Sequence, residues 1–267
     1  MRRETLQALV YSALVLALGL ALLPLPPGSR QVFLYSWTPT VAVVLTGLPF
    51  IRQGGARAAW GGLGFGKLRA GAGAWLTCLA LPFAVLGAGY ALVGLLGVSP
   101  LAYPAGVPPA RFWVTMVLLI PAAALESVGE EIGWRGYLLP RLVPLGRVRA
   151  WLWSGLLWGC WHWPLIFTGA YHAGGSLPLT LLLFTATILA FTLVINEVRV
   201  VTGSLWLAAL LHGAHNAIWF QLRALPTGAS PWIDRLAGES GVVPLVLYGM
   251  AALVVLARPA WKAAADA

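Results

Sequence analysis

The stretch from Phe112 to Leu139, FWVTMVLLIPAAALESVGEEIGWRGYLL, decides how this chain is read. A helix of about 20 apolar residues crosses a bilayer, and this run is long enough. Yet it carries Glu126, Glu130, Glu131 and Arg135. A charge at the centre of a membrane helix costs about 2.5–3.5 kcal/mol on insertion scales, so such residues are usually functional and need partners. The candidate partners lie in two later apolar runs, as His162 and as His212 with His215 and Asn216.

The composition points the same way. The chain has 267 residues, 60% hydrophobic and 9% charged. Soluble domains are about 25% charged, and a soluble fold of this size could not cover itself with so few charges. The expected class is all-α, a polytopic transmembrane helical bundle forming one integral membrane domain over 1–267, with its motif-bearing core at about 112–222. The net charge of +9 would suggest nucleic acid in a soluble protein. Here the basic residues fall mainly between apolar runs, where topology and anionic lipid headgroups account for them. The expected partners are the bilayer and a membrane-associated peptide or protein, with no nucleic acid. Cys78 and Cys160 each sit inside an apolar run and form no CxxC, so both read as small core residues.

Measured against a bilayer, the apolar runs make eight spans, at about 6–25, 32–51, 72–97, 112–139, 149–168, 177–197, 202–222 and 241–257. The first could pass for a signal peptide, but the topology works better if it stays. With both termini in the cytoplasm, the inner segments hold all of the 17 lysines and arginines except Arg30, Arg111, Arg223 and Arg235. That asymmetry is what the positive-inside rule requires. The segment from Arg52 to Arg69 reads as an interfacial loop or short surface helix, and His172 as a solvated loop residue. Glu197 and Arg199, at a span end, read as interfacial. Asn196 is expected to hydrogen-bond another helix. Pro121 removes a backbone hydrogen bond from the fourth span and is expected to kink it.

Helical spacing separates the acids. Glu126 and Glu130 are four apart on one face; Glu131 and Arg135 are four apart on the next, with the acid N-terminal, the favourable order for an ion pair. Arg135 can therefore hold Glu131, leaving Glu130 to face a cavity and exchange a proton with water. His212 and Asn216 share a face, with His215 on its border. At 1.5 Å per residue, Glu130, His162 and His212 lie roughly 14, 20 and 15 Å in from the cytoplasmic ends of their spans. Three helices thus deliver polar groups to a comparable depth. Glu130 can deprotonate water with His162 positioning it, and His212 and Asn216 can donate to an oxyanion. Alternatively, Glu130, His162 and His212 can hold a divalent metal such as zinc. These two mechanisms stay open at this point. Glu126 and His215 are candidate outer supports of the site. Ser127 and Ser204 lack a GxSxG setting, which argues against a serine nucleophile.

Glu130-Glu131-x-x-x-Arg135, then Trp158 with His162 four residues on, then His212-x-x-x-Asn216, resembles the CPBP family in order and placement. These are the CAAX-processing and bacteriocin-processing intramembrane proteases, including the Ras-converting type of prenyl-protein endopeptidase. Position 158 is Trp where that family usually has Phe. The resemblance implies that Glu130 and His162 activate water, that His212 and Asn216 stabilise the transition state, and that Glu131 and Arg135 complete the first motif. It gives no role to Glu126 or His215. The expected activity is glutamate-type or metallo-endopeptidase cleavage of a membrane-associated or lipidated substrate, in a bacterial plasma membrane. Two rival readings are a non-catalytic scaffold or immunity protein of the same fold, and a proton-coupled transporter. No inverted repeat of the transporter kind is evident in the sequence.

Overall fold

The computed structural model describes residues 3–50, 62–67, 70–171 and 176–258. Most of the expected surface segment between Arg52 and Arg69 lies outside these residues, as does His172. The described chain is helical, and its sole β pairing is an isolated bridge between Leu101 and Pro226. The helices are α1 (Arg3–Ala21), α2 (Ser29–Ser36), α3 (Thr38–Phe50), α4 (Ala72–Leu95) and α5 (Pro109–Glu131). A π-helical segment, Ile132–Leu138, continues α5 and leads into the short α6 (Leu139–Leu142). Then come α7 (Arg147–Phe167), α8 (Leu177–Thr202), α9 (Leu205–Leu222), α10 (Pro231–Ala237) and α11 (Val242–Leu256).

Among the described residues, five helical stretches are long and apolar enough to cross a membrane: Arg3–Ala21, Ala72–Leu95, Pro109–Leu145, Leu177–Thr202 and Pro231–Leu256. The three remaining expected spans fall on α2 with α3, on α7 and on α9. Two of these carry the candidate histidines.

The expected span at 32–51 is two helices joined at Trp37. Pro39 explains the break, because it has no N–H to give to the carbonyl four residues back. That carbonyl, on Tyr35, accepts instead from the Thr38 hydroxyl at 2.8 Å. Pro121, by contrast, is carried within α5 as one continuous helix. The departure from α-geometry comes later, at Ile132, where the π segment begins.

The motif helices are set by local signals and by close packing. Gly203, in the left-handed conformation at φ 66°, closes α8. Ser204 then caps α9, its hydroxyl accepting from the Leu207 N–H. The contact of α9 with α5 is the most extensive between any two elements. At its centre Gly213 lies against the backbone of Ala123 and Ala124, where any Cβ would collide. Small residues let membrane helices approach this closely, and here they bring the Glu130 helix against the His212 helix.

Candidate active site

The site begins where α5 becomes the π segment. All seven residues from Ile132 to Leu138 are buried. Such π turns occur mostly as single-turn bulges and are frequent at functional sites. The expected Glu131–Arg135 pair is made across this turn, with Nη1 2.9 Å from Oε1 and exposures of 1% for Arg135 and 0% for Glu131. The same Oε1 lies 3.0 Å from His212 Nδ1. On its other side Arg135 donates from Nε to Asn196 Oδ1 at 3.3 Å, and Asn196 Nδ2 donates to Ser154 Oγ at 3.0 Å. The guanidinium also lies over the Trp158 ring, 4.2 Å from its centroid. One polar chain thus runs Ser154–Asn196–Arg135–Glu131–His212 and ties α7, α8, the π segment, α5 and α9 together.

Glu130 is held differently. Its Oε2 accepts from two indoles, Trp158 Nε1 at 2.9 Å and Trp134 Nε1 at 3.3 Å. No hydrogen bond among the described residues falls on its Oε1. The carboxylate is fixed by one oxygen, and the other is left to the cavity that Glu130 lines.

That cavity has a volume of about 130 Å³, room for several waters. Its walls include Glu130, His162, His212 and Asn216, so the groups expected to meet do share one enclosed space. His162 Nδ1 is 2.8 Å from the Trp158 carbonyl oxygen. A carbonyl can only accept, so Nδ1 carries the proton, and in the neutral imidazole Nε2 is the acceptor. The ring is held edge-on to Trp161 and Phe184, at centroid distances of 4.7 and 5.0 Å. Glu126 is exposed and lines the same cavity one turn before Glu130, marking its open side.

His215 is buried and also lines the cavity, but its partners lie away from His212. Its Nδ1 is 2.7 Å from the Tyr248 hydroxyl and its Nε2 is 3.7 Å from Glu239 Oε1. The Tyr171 hydroxyl donates to the other oxygen of Glu239.

Several expectations need correction. Among the described residues no three His, Cys, Asp or Glu side chains are placed to hold a metal. In the candidate set of Glu130, His162 and His212, Glu130 Oε2 is committed to two indoles and His212 Nδ1 to Glu131. These bonds engage Glu130 Oε2 and His212 Nδ1 and do not use Glu130 Oε1 or His212 Nε2, the atoms through which the two would bind a metal. Glu197 is not interfacial: it is 6% exposed and pairs with Arg147 at 3.2 Å. Arg199 donates to the carbonyls of Arg135, Gly62 and Leu63, tying the π segment to the preceding loop. Arg135, placed among the inner-segment cations by the charge pattern, is instead buried in the site. The hydrogen bonding expected of Asn196 is present, to Arg135 and Ser154.

The sequence reading missed the two indole donors. Trp134 was legible in principle, since it stands four residues after Glu130 on the same helix. Glu239 and Tyr171 carried no signal, because nothing in the chain near either one marks it.

An apolar helical bundle that encloses glutamates and histidines from three helices in one small cavity defines a membrane-embedded protein with an acid–base site. Residues 111–218 match a protein-family model described as type II CAAX prenyl endopeptidase Rce1-like. This segment holds every motif residue from Glu130 to Asn216 and is similar to the CAAX protease family. No curated protein matches the chain in a direct sequence comparison.

Proposed function

We propose that the protein is an intramembrane endopeptidase that hydrolyses a peptide bond of a membrane-associated or lipidated substrate, using water activated by Glu130. The observation that carries this reading is the division of labour between Glu130's two oxygens. Oε2 is clamped by two indoles, and Oε1 is left to the cavity shared with His162, His212 and Asn216.

In this mechanism a water in the cavity gives a proton to Glu130 Oε1 while His162 Nε2 accepts its other O–H and orients it. The water oxygen bonds to the scissile carbonyl carbon, and the C=O π electrons move onto oxygen. His212 and the Asn216 amide donate to that oxyanion. His212 does so from Nε2–H as an imidazolium, its Nδ1–H directed at Glu131, which Arg135 holds in place. As the C–N bond breaks, Glu130 returns its proton to the leaving nitrogen. Glu131 and Arg135 touch no reacting atom in this scheme; they position His212.

The basic residues support a topology with both termini in the cytoplasm. The test is cleavage of a reconstituted membrane substrate by purified protein. Glu130→Gln and His162→Ala are each expected to remove activity while the protein still inserts. Full activity in both variants would overturn the assignment.

A further inference from the structure

The accessible part of the cavity wall lies on one side of the reacting groups. Among the described lining residues Glu126 is exposed, Val32, Ala123, Tyr171 and Asn216 are half-buried, and the rest are buried. The helix packing gives these five a common direction. α5 and α9 run antiparallel: Gly213 sits against Ala123 and Ala124, and the Gln221 amide donates to the Phe112 carbonyl. Ala123 and Glu126, which precede Glu130, and Asn216, which follows His212, are therefore displaced the same way. α2 and α3 run beside α5 in the same sense, with Ser36 and Trp37 against Gly129 and Pro39 against Gly133. Val32 is thus displaced with Glu126. Tyr171 follows the end of α7, and its ring is 6.3 Å from that of Trp219, which lies beyond Asn216 on α9.

The other side is closed. There the polar chain from Ser154 to His212 spans the helices, and all seven residues of the π segment are buried. His162 is five residues from the last residue of α7, about 8 Å, and fifteen from the first, about 22 Å. The closed side also holds both ends of the described chain. Arg141 donates to Gln7 near the start of α1, and Arg147 donates to the carbonyls of Leu256 and Arg258 where α11 ends.

We propose that the cavity takes its substrate from the extracytoplasmic half of the membrane, through an opening between α2 and α5 flanked by Val32 and Glu126. The basic residues put both termini in the cytoplasm, and the opening lies on the opposite side. A carboxylate in hydrocarbon is costly, so Glu126 marks where water enters. The substrate class is a peptide segment exported to, or held in, the outer half of the bilayer, and not one presented at the cytoplasmic surface. That class rests on the endopeptidase reading above; the direction of access does not.

The experiment puts single cysteines into the full chain, with Cys78→Ala and Cys160→Ala removing the native thiols. Intact cells and inverted membrane vesicles are labelled with a bulky, membrane-impermeant maleimide. Glu4→Cys marks the side of the chain ends and Ser176→Cys the opposite side. Ser176→Cys and at least one of Val32→Cys and Glu126→Cys are expected to label in intact cells, and Glu4→Cys only in inverted vesicles. Labelling of neither Val32→Cys nor Glu126→Cys in intact cells overturns the proposal. So does labelling of Glu4→Cys there, which would turn the opening to the cytoplasm. Cleavage of a single-span fluorescent reporter is then compared before and after labelling of the same variant. Modified Glu126→Cys is expected to lose cleavage, and modified Ser176→Cys to keep it; where Glu126→Cys is itself inactive, Val32→Cys carries the comparison. Cleavage that continues at full rate after labelling overturns the substrate class. Labelling from outside with no cleavage by the wild type leaves the direction of access standing and overturns the endopeptidase reading. Cleavage with labelling from the cytoplasmic side alone does the reverse.

Discussion

Helix α9 presents two histidines to two carboxylates, and the two pairs are built on different principles. His212 meets Glu131, which is fully buried and held by a guanidinium that is itself bonded through Asn196 to Ser154. His215 faces Glu239, which is held by the neutral hydroxyl of Tyr171, while His215 leans on Tyr248. The first pair is a closed ionic network spanning five elements. The second is a hydrogen-bonded arrangement of Tyr171, His215 and Tyr248 around one acid on the wall of the cavity. A buried charge with a full counter-charge is rigid and committed. The closed pair therefore suits a positioning role. Between them stands Glu130, clamped on one oxygen alone.

The largest effect expected on this contrast comes from Glu130 itself. Replacing it with Gln removes the base and should lower kcat/KM by about 10²–10⁴-fold, as loss of a positioned general base does. Cleavage assays on reconstituted protein check it, with melting temperature expected to stay near the wild-type value.

Breaking the closed network should instead show in stability. Arg135→Met takes the guanidinium from buried Glu131 and leaves His212 as its remaining ionic partner, a loss of up to about 3–5 kcal/mol. Thermal unfolding in detergent measures it. Adding Glu131→Gln to the same protein should recover much of that stability, because removing both members of a buried pair is far cheaper than removing one. Failure to recover would mean that the network is held by something other than its charges.

A smaller effect is expected at the clamp. Trp158→Phe keeps an aromatic ring, the residue type usual in the family, but removes one of the two N–H donors to Glu130. A hydrogen bond to a charged group is worth about 1.5–3 kcal/mol, so kcat should fall about tenfold or somewhat more. An unchanged kcat would show that Trp134 suffices to hold Oε2.

The smallest effect should come from the second pair. Tyr248→Phe removes one neutral hydrogen bond to His215, about 1 kcal/mol of stability. Less than about a threefold change in kcat/KM is expected, since 1.4 kcal/mol corresponds to tenfold and only part of the loss reaches the substrate. A loss as large as that of Arg135→Met would erase the distinction between the two pairs.

What the sequence determined by itself was whatever depends on neighbours along one helix and on bulk composition. The low charge fraction and the lengths of the apolar runs set the helical membrane class. Four-residue spacing separated Glu130 from Glu131 and paired the latter with Arg135, because residues one turn apart face each other whatever the rest of the fold does. The ordered motifs on three helices named Glu130, His162, His212 and Asn216, which do line one cavity. Glu131 and Arg135 stand behind that cavity and Glu126 at its open side, an arrangement the motif order does not contain.

Tertiary structure decided which atoms are spoken for. The metal alternative stayed open in the sequence because Glu, His and His are acceptable ligands on paper. The fold assigns Glu130 Oε2 to two indoles and His212 Nδ1 to Glu131, since a side chain's direction depends on partners from other helices. The break at Trp37 and the π segment at Ile132 were equally unreadable by span length, which counts apolar residues and not backbone hydrogen bonds. Glu239 needed the fold most of all. It joins the site from more than a hundred residues beyond Glu130, brought there by the packing of α10 on α4 and of α11 on α8. No periodicity along a chain can reveal a contact that only the packing of separate helices creates.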